Sequence, residues 1–136
     1  MTEDLVPRIY EETIVVKEED LDELDHVNNV RYVQWMEDIA KSHWEKTAPR
    51  DVQNKYLWMV LRHEIDYKGQ AFSGDELLVQ TFVGEHTNVT SQRHVVIRKK
   101  DSNKILLKAL SSWCLLDAKT REPARIDVGM FRDFYE

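Results

Sequence analysis

The apolar positions of this chain change their period along its length. From Arg8 to Lys17, RIYEETIVVK, they alternate loosely and end in the β-branched pair Val15-Val16, which predicts a first strand. An acidic connector, Glu18 to His26, follows. From Asn28 to Lys46 the period becomes helical. At about 100° per residue, Val30, Tyr32, Val33, Trp35, Met36, Ile39, Ala40, His43 and Trp44 gather on one half of the circumference, and Arg31, Gln34, Asp38, Lys41, Ser42 and Glu45 fall on the other. Such a broad apolar face suits a helix around which a sheet curls. Pro49 and Asp51 close the helical region, and strand patterns return at Tyr56 to Tyr67, Glu76 to Val83, Ser91 to Lys99 and Lys104 to Leu116. Gly69 to Asp75 reads as a loop, and Asp101-Ser102-Asn103 carries the turn residues that join the last two strands as a hairpin. The tail from Asp117 to Glu136 holds Pro123 and Gly129 and is expected to end in a short helical turn around Met130 to Tyr135.

Strand, long helix, then four strands is the order of an α+β domain with an antiparallel sheet packed on one helix. Residues 1–136 contain no internal repeat, low-complexity tract or linker. A chain of this length buries roughly 65–70% of the surface its unfolded form exposes, which is enough for one core. A single domain is therefore expected.

Composition narrows the functional classes. Hydrophobic residues make up 42% and charged residues 32%, as in an ordinary folded protein. The formal net charge of -6 and the shortness of the basic cluster Arg98-Lys99-Lys100 leave no electrostatic footprint for a nucleic-acid partner. Cys114 is the lone cysteine, so no intrachain disulfide forms, and the paired spacing of a zinc site is missing. It is expected to be a buried structural thiol in a reducing compartment. The opening MTEDLVPRIY lacks a basic start followed by an apolar core, and apolar runs such as Tyr56 to Leu61 are too short for a membrane span. A cytoplasmic location is expected.

The stretch LDELDHVNNVRYVQW, Leu21 to Trp35, turns from an acidic run into the start of the long helix. One reading is local: Asn28 or Asn29 caps the helix, and Asp22 and Asp25 gather near the positive end of its dipole. The other is chemical. Free N–H groups at a helix start stabilise a developing oxyanion, and a nearby carboxylate serves as nucleophile or as general base for water. Acyl transfer needs both within a few ångströms of one carbonyl, and a loop that carries Asp22 into the helix start supplies them from one segment.

DLDELDHVNNVRYVQWMED, Asp20 to Asp38, resembles the signature of the 4-hydroxybenzoyl-CoA thioesterase-like branch of the hotdog superfamily, D-x-D-x-x-G-H-V-N-N-x-x-Y followed by an aromatic-rich helix. It is also similar to plant acyl-ACP thioesterases, in which a D-L-D precedes H-V-N-N. IDYKGQAFSGDELLVQT (Ile65 to Thr81), SQRHVVI (Ser91 to Ile97) and WCLLDAKTREPARI (Trp113 to Ile126) extend the likeness, the last with a D-x-x-x-x-x-P turn. The resemblance implies a hotdog fold, an antiparallel sheet wrapped around one long central helix. It implies hydrolysis of an acyl-CoA or acyl-ACP thioester without metal or redox cofactor. It further implies a homodimer or homotetramer with active sites at the subunit interface. By position, Asp22 is then the catalytic carboxylate, the Asn29 N–H polarises the thioester carbonyl, and His26 and Asn28 orient the loop or the water. Gln70 falls where related chains approach the acyl site from the neighbouring subunit.

Asp25 stands in place of the usual glycine, bringing a second negative charge close to Asp22, and Leu24 stands where the plant enzymes have an asparagine. Aspartate tolerates unusual backbone angles, so the turn itself is expected to survive. Some hotdog thioesterases carry a basic triplet that meets the CoA phosphates. The matching stretch here is His86-Thr87-Asn88, so Arg93, Arg98, Lys99, Lys100 and Lys104 are the alternatives, weighed against a merely solvated hairpin end. Glu37 borders the apolar helix face. Another branch takes its catalytic acid from the helix but carries an H-G-G-type motif absent here, so a boundary salt bridge is expected of Glu37. Tyr56, Leu57, Trp58 and Met59 line an acyl pocket or form plain core. Two further functions use the same fold: a dehydratase or hydratase acting on the acyl chain, and a non-catalytic acyl-binding protein with Asp25 as the disabling change.

Overall fold

Alternation decides which side of each strand faces the helix. In the computed structural model, which describes residues 5–136, every second residue of two adjacent strands is buried: Leu77, Val79, Thr81 and Val83 in one, Ser91, Arg93, Val95 and Ile97 in the other. These strands are β3 (Glu76–His86) and β4 (Thr90–Lys99). They belong to a five-stranded antiparallel sheet with β1 (Tyr10–Val15), β2 (Tyr56–Tyr67) and β5 (Ile105–Asp117), in the order β1-β3-β4-β5-β2. Helix α1 (Asn29–Thr47) packs across one side, with its closest contacts to β3 and β1. This is the hotdog arrangement of an α+β domain.

The buried side of α1 divides the core in two. Tyr32, Met36 and Ile39 pack with Leu77, Val79, Val95, Ile97 and Ala109. Trp44, a turn further on, packs with Val83, Leu115, Phe131 and Phe134. The tail supplies the last two from a 3₁₀ segment, Val128–Phe134, capped by Asp127, whose carboxylate accepts from the Gly129 N–H at 3.0 Å. The same tail returns to the start of the described chain. Glu136 N–H donates to Val6 at 2.8 Å, Arg8 N–H to Phe134 at 2.9 Å, and Pro7 bridges Tyr135.

Several elements differ from the expected ones. Val30, placed on the buried face by pattern, is 75% exposed. At about 100° per residue it lies roughly 120° from Met36, outside the narrower stripe that the sheet covers. Residues Arg50–Lys55 form a second helix, α2, where only the end of the first was expected. Its Gln53 amide donates to the carbonyls of Ala48 (2.8 Å) and Glu45 (3.0 Å), satisfying acceptors that the end of α1 leaves orphaned. Strand β3 runs on to His86, because His86 bonds Ser91 and stacks on Phe131 with ring centroids 4.2 Å apart. The Asp101-Ser102-Asn103 turn forms as expected, with Asn103 in the left-handed region at φ +62°. Cys114 is buried in β5, and no helix among the described residues is long and apolar enough to cross a membrane.

Between the two apolar clusters lies a buried polar layer. Arg93 donates from one amino group to His43 Nδ1 (2.8 Å) and Thr81 Oγ1 (3.1 Å). Arginine has no acceptor, so His43 Nδ1 is the unprotonated nitrogen and the ring is neutral. Burial, and then the guanidinium, push the His43 pKa down from 6.5 to about 3. The unfolded chain therefore takes up this proton more readily than the folded one. The stability tied to His43 is whole above about pH 6.5 and is lost as pH falls toward about 3. His43→Gln keeps an acceptor for Arg93 without a titrating ring, and is expected to flatten the loss of stability in chemical denaturation between about pH 6.5 and pH 4.

Candidate active site

A buried acid organises the approach to α1. Asp20 is 7% exposed; its Oδ2 accepts from the Lys17 N–H (2.9 Å), its Oδ1 pairs with Arg31 Nε on the first turn of α1 (2.9 Å), and its carbonyl accepts from the Asn28 N–H (2.9 Å). The chain between is closed on itself, with Leu21 bridging Val27 and the Asp22 N–H donating to the His26 carbonyl at 2.7 Å. Residues 20 and 28 are thus held together, and the loop carrying Asp22 projects beside the helix start.

Within this loop one carboxylate oxygen of Asp22 is occupied. Oδ1 accepts from the N–H groups of Leu24 (2.9 Å) and His26 (3.2 Å), which fixes the plane of the carboxylate while Oδ2 makes no hydrogen bond to the described residues. Asp25 adopts φ +61°, the left-handed conformation that the family glycine would take, and its side chain is exposed rather than turned inward. Leu24 is 73% exposed.

The helix start is capped as one of the sequence readings has it. Asn28 is the N-cap, its Oδ1 accepting from the Val30 N–H at 2.9 Å. The Asn29 N–H, at the first helical position, meets no acceptor among the described residues. His26 is half-buried with its ring edge against Phe72, centroids 5.9 Å apart. Phe72 lies in the 69–75 loop, which also carries the exposed Gln70, so this loop borders the Asp22 loop within one chain. Lys99 sits over the Phe72 ring and pairs with Asp75 at 3.5 Å.

The remaining candidates fall elsewhere. Arg93 lies under α1 in the interior, away from the charged hairpin end, because its place in β4 has the inward parity of Val95 and Ile97. That position does not suit a phosphate at the surface. His86-Thr87-Asn88 is tied into the tail through His86, which also bonds Tyr135. Glu37 makes the boundary contact expected of it, Oε2 to His63 Nε2 at 3.2 Å, while His63 Nδ1 bonds Ser111 at 2.6 Å. Tyr56, Leu57 and Trp58 line a cavity next to α1, whereas Met59 points outward. No group of three His, Cys, Asp or Glu side chains able to hold a metal ion occurs among the described residues.

Sequence reasoning missed the roles of Asp20 and Phe72. Asp20 carried a signal, since an acid three residues after Lys17 can reach back to accept the Lys17 N–H at the 3₁₀ turn Glu18–Asp20. Asp20→Ala leaves the Lys17 N–H and Arg31 without their acceptor. It is expected to lower stability by about 1–3 kcal/mol in denaturant titration, and Asp20→Asn by less.

Residues 7–134 match the model of the acyl-ACP thioesterase N-terminal domain. No curated protein matches the chain. Among solved structures, the probable thioesterase YbaW of Escherichia coli is similar at a TM-score of 0.81 and 20% identity, over 90% of this chain and 94% of that one. A 1,4-dihydroxy-2-naphthoyl-CoA thioesterase from Synechocystis is similar at 0.76 and 16%, over 89% and 91%. The 12:0-ACP thioesterase of Umbellularia californica is similar at 0.77, over 92% of this chain but 49% of its own length, so the chain spans about half of that enzyme. At such identities the structural likeness is one of fold, whereas the family match runs through the loop and helix start just described. The chain belongs to the acyl-ACP thioesterase family, and its chemistry is the hydrolysis of an acyl thioester.

Proposed function

We propose that Asp22 is the catalytic carboxylate of this thioesterase and that the Asn29 N–H is its oxyanion donor. The observation that carries the reading is the division of labour within Asp22: one oxygen is fixed by two backbone N–H groups, and the other is free beside a helix start with an unpaired N–H. In the step proposed, Oδ2 takes a proton from water as the water oxygen attacks the thioester carbonyl. The carbonyl oxygen becomes an oxyanion against the Asn29 N–H. Collapse breaks the carbon–sulfur bond, the Asp22 carboxyl returns its proton to the leaving thiolate, and acid and thiol depart. His26 and Asn28 position the loop and the helix start, and Gln70 reaches the substrate from the 69–75 loop.

The carrier is CoA or an acyl carrier protein. Lys100 pairs with Glu76 and Lys99 with Asp75, while Arg98, whose Nε donates to the Gln80 amide oxygen, and Lys104, against Gly69, have no carboxylate partner among the described residues. Of these two, Lys104 is the exposed one and makes no side-chain hydrogen bond to the described residues, so it is best free to meet a carrier phosphate. The assembly proposed is a homodimer through β2. That 12-residue strand is a free sheet edge, its N–H and C=O groups on one side without a ladder partner, and Leu57, Met59 and Leu61 on it are 39%, 46% and 53% exposed. A partner there also suits the exposed Asp22 loop, which in one chain is open to water.

Two measurements test this. Thiol release from short, long and aromatic acyl-CoAs and acyl carrier proteins is expected to fall by about 10²–10⁴ in Asp22→Asn, which keeps the Oδ1 acceptor and the loop but removes the base. Asp25→Gly is expected to keep the rate or raise it. A near-wild-type rate in Asp22→Asn would sink the assignment. Addition of water to an acyl-chain double bond, or loss of water to form one, with the thioester intact would mark a hydratase or dehydratase. In sedimentation the 16.2 kDa chain is expected to run as two copies or a multiple of two.

A further inference from the structure

Helix α1 leaves part of the sheet beneath it uncovered. Between α1, β2 and the tail lies a cavity of about 540 Å³, within the roughly 300–1,000 Å³ of small-molecule pockets. Trp44, Tyr56, Trp58 and Phe131 give it aromatic walls, while Asp38, Lys41 and Glu45 stand at exposed positions on its rim. Arg93 lines it from β4 and is 8% exposed. Both hydrogen bonds of its guanidinium come from one amino group and end on neutral partners, His43 and Thr81. Its Nε and other amino group meet no acceptor, and no carboxylate pairs with it, among the described residues. A buried cation without an anion is unfavourable, and an anion brought to it is favoured.

Trp113 also lines the cavity, while its Nε1 is closed off from solvent and has no hydrogen-bond partner among the described residues. In the β4–β5 ladder Arg93 stands opposite Ser111 and Ser91 opposite Trp113, so Arg93 and Trp113 are diagonal neighbours on one face of the sheet. The half-buried acid of the lining, Glu37, is turned to His63. The floor therefore offers the free donors and single positive charge of Arg93, the second cation, Lys41, stands at the solvated rim with Asp38 and Glu45, and the walls offer hydrocarbon-like surface.

We infer that this cavity binds an apolar molecule ending in a carboxylate, with the carboxylate against the unpartnered nitrogens of Arg93 and the apolar body among the aromatic walls. One guanidinium suits one negative charge, which favours a carboxylate over a phosphate dianion. His43, the partner of Arg93, lies 14 residues along α1 from Asn29, roughly 21 Å at 1.5 Å per residue, so this is a site separate from the Asp22 loop. The carboxylate has two possible sources: a free acid, or the distal end of a dicarboxylic acyl group whose thioester lies at Asp22. Only the second rests on the thioesterase mechanism.

Titration of the whole chain with dodecanoate and with dodecanol, followed by tryptophan fluorescence, separates charge from apolar body. The acid is expected to bind at least tenfold more tightly. Arg93→Met keeps an unbranched apolar stem and is expected to bring the two affinities together, and Arg93→Lys, which keeps the charge but loses the paired donors, to cut the acid preference severalfold while leaving the alcohol unchanged. Equal affinities in the wild type, binding of neither, or an acid preference that survives both substitutions overturns the inference. The Arg93→Lys arm decides if Arg93→Met does not fold. Thiol release from octadecanoyl-CoA and its ω-carboxy analogue, whose extended chain is long enough to reach from the helix start to Arg93, then separates the sources: a lower KM for the analogue, lost in Arg93→Met, supports the distal carboxylate, and competitive inhibition by dodecanoate with equal KM values supports the free acid. Absence of thiol release with the acid preference intact overturns the hydrolytic reading and leaves the carboxylate site supported.

Discussion

The buried carboxylate of Asp20 fixes the relation on which the candidate chemistry depends. Val27, buried in the core, and Leu21, packed against it, give the loop an apolar reason to stay beside the helix start. The Asp20 side chain and carbonyl give it a polar one, joining Lys17 before the 3₁₀ turn to Arg31 and Asn28 at the head of α1. Charge-assisted hydrogen bonds of this kind are directional, so they fix orientation as well as proximity. The neighbouring acid, Asp22, uses its side chain differently, bracing its own loop with one oxygen and leaving the other to solvent. Two aspartates, two residues apart, thus divide structure and chemistry by burial.

The second organising feature is the polar layer that separates the apolar clusters. A hydrophobic core is usually continuous, and here Arg93, His43, Thr81 and, across the ladder, Ser111 and His63 interrupt it. His43 is also held between the Tyr10 and Phe134 rings, at centroid distances of 5.1 and 4.7 Å, so the first strand, the helix and the tail meet at one imidazole. Polar groups that meet so many elements specify how the helix sits on the sheet, because a slipped helix would leave them unbonded.

Much of this was legible in the sequence where local physics decides it. The 3.6-residue period of Tyr32, Met36, Ile39 and His43 marks the side of α1 that meets the sheet, and the H-V-N-N stretch marks the cap that Asn28 provides. The aspartate at position 25 was readable as a tolerable replacement for glycine, and its backbone is left-handed as such a replacement requires. Non-local pairing was hidden: nothing in the order of the strands says that β1 joins β3 while β2 crosses to the far edge. Arg93 misled through its charge. The alternation of SQRHVVI puts it on the inward parity with Val95 and Ile97, and the period was the better guide. Helix α2 was hidden because five of its six residues are polar, and it gains its place from the orphan carbonyls of α1 and the single apolar contact of Val52 in place of an apolar stripe.

The return of the tail to the first described residues carries a topological consequence. Residues 6–8 are hydrogen-bonded to residues 134–136, so the two ends of the described chain lie side by side and a few linking residues would span them. The turn at Asp101-Ser102-Asn103 is exposed and interrupts no strand. A circular permutant joined across the ends and opened at that turn would keep every ladder and the whole Asp20 to Arg31 segment, while bringing β5 to the front of the translated chain and leaving β4, with Arg93, at its end.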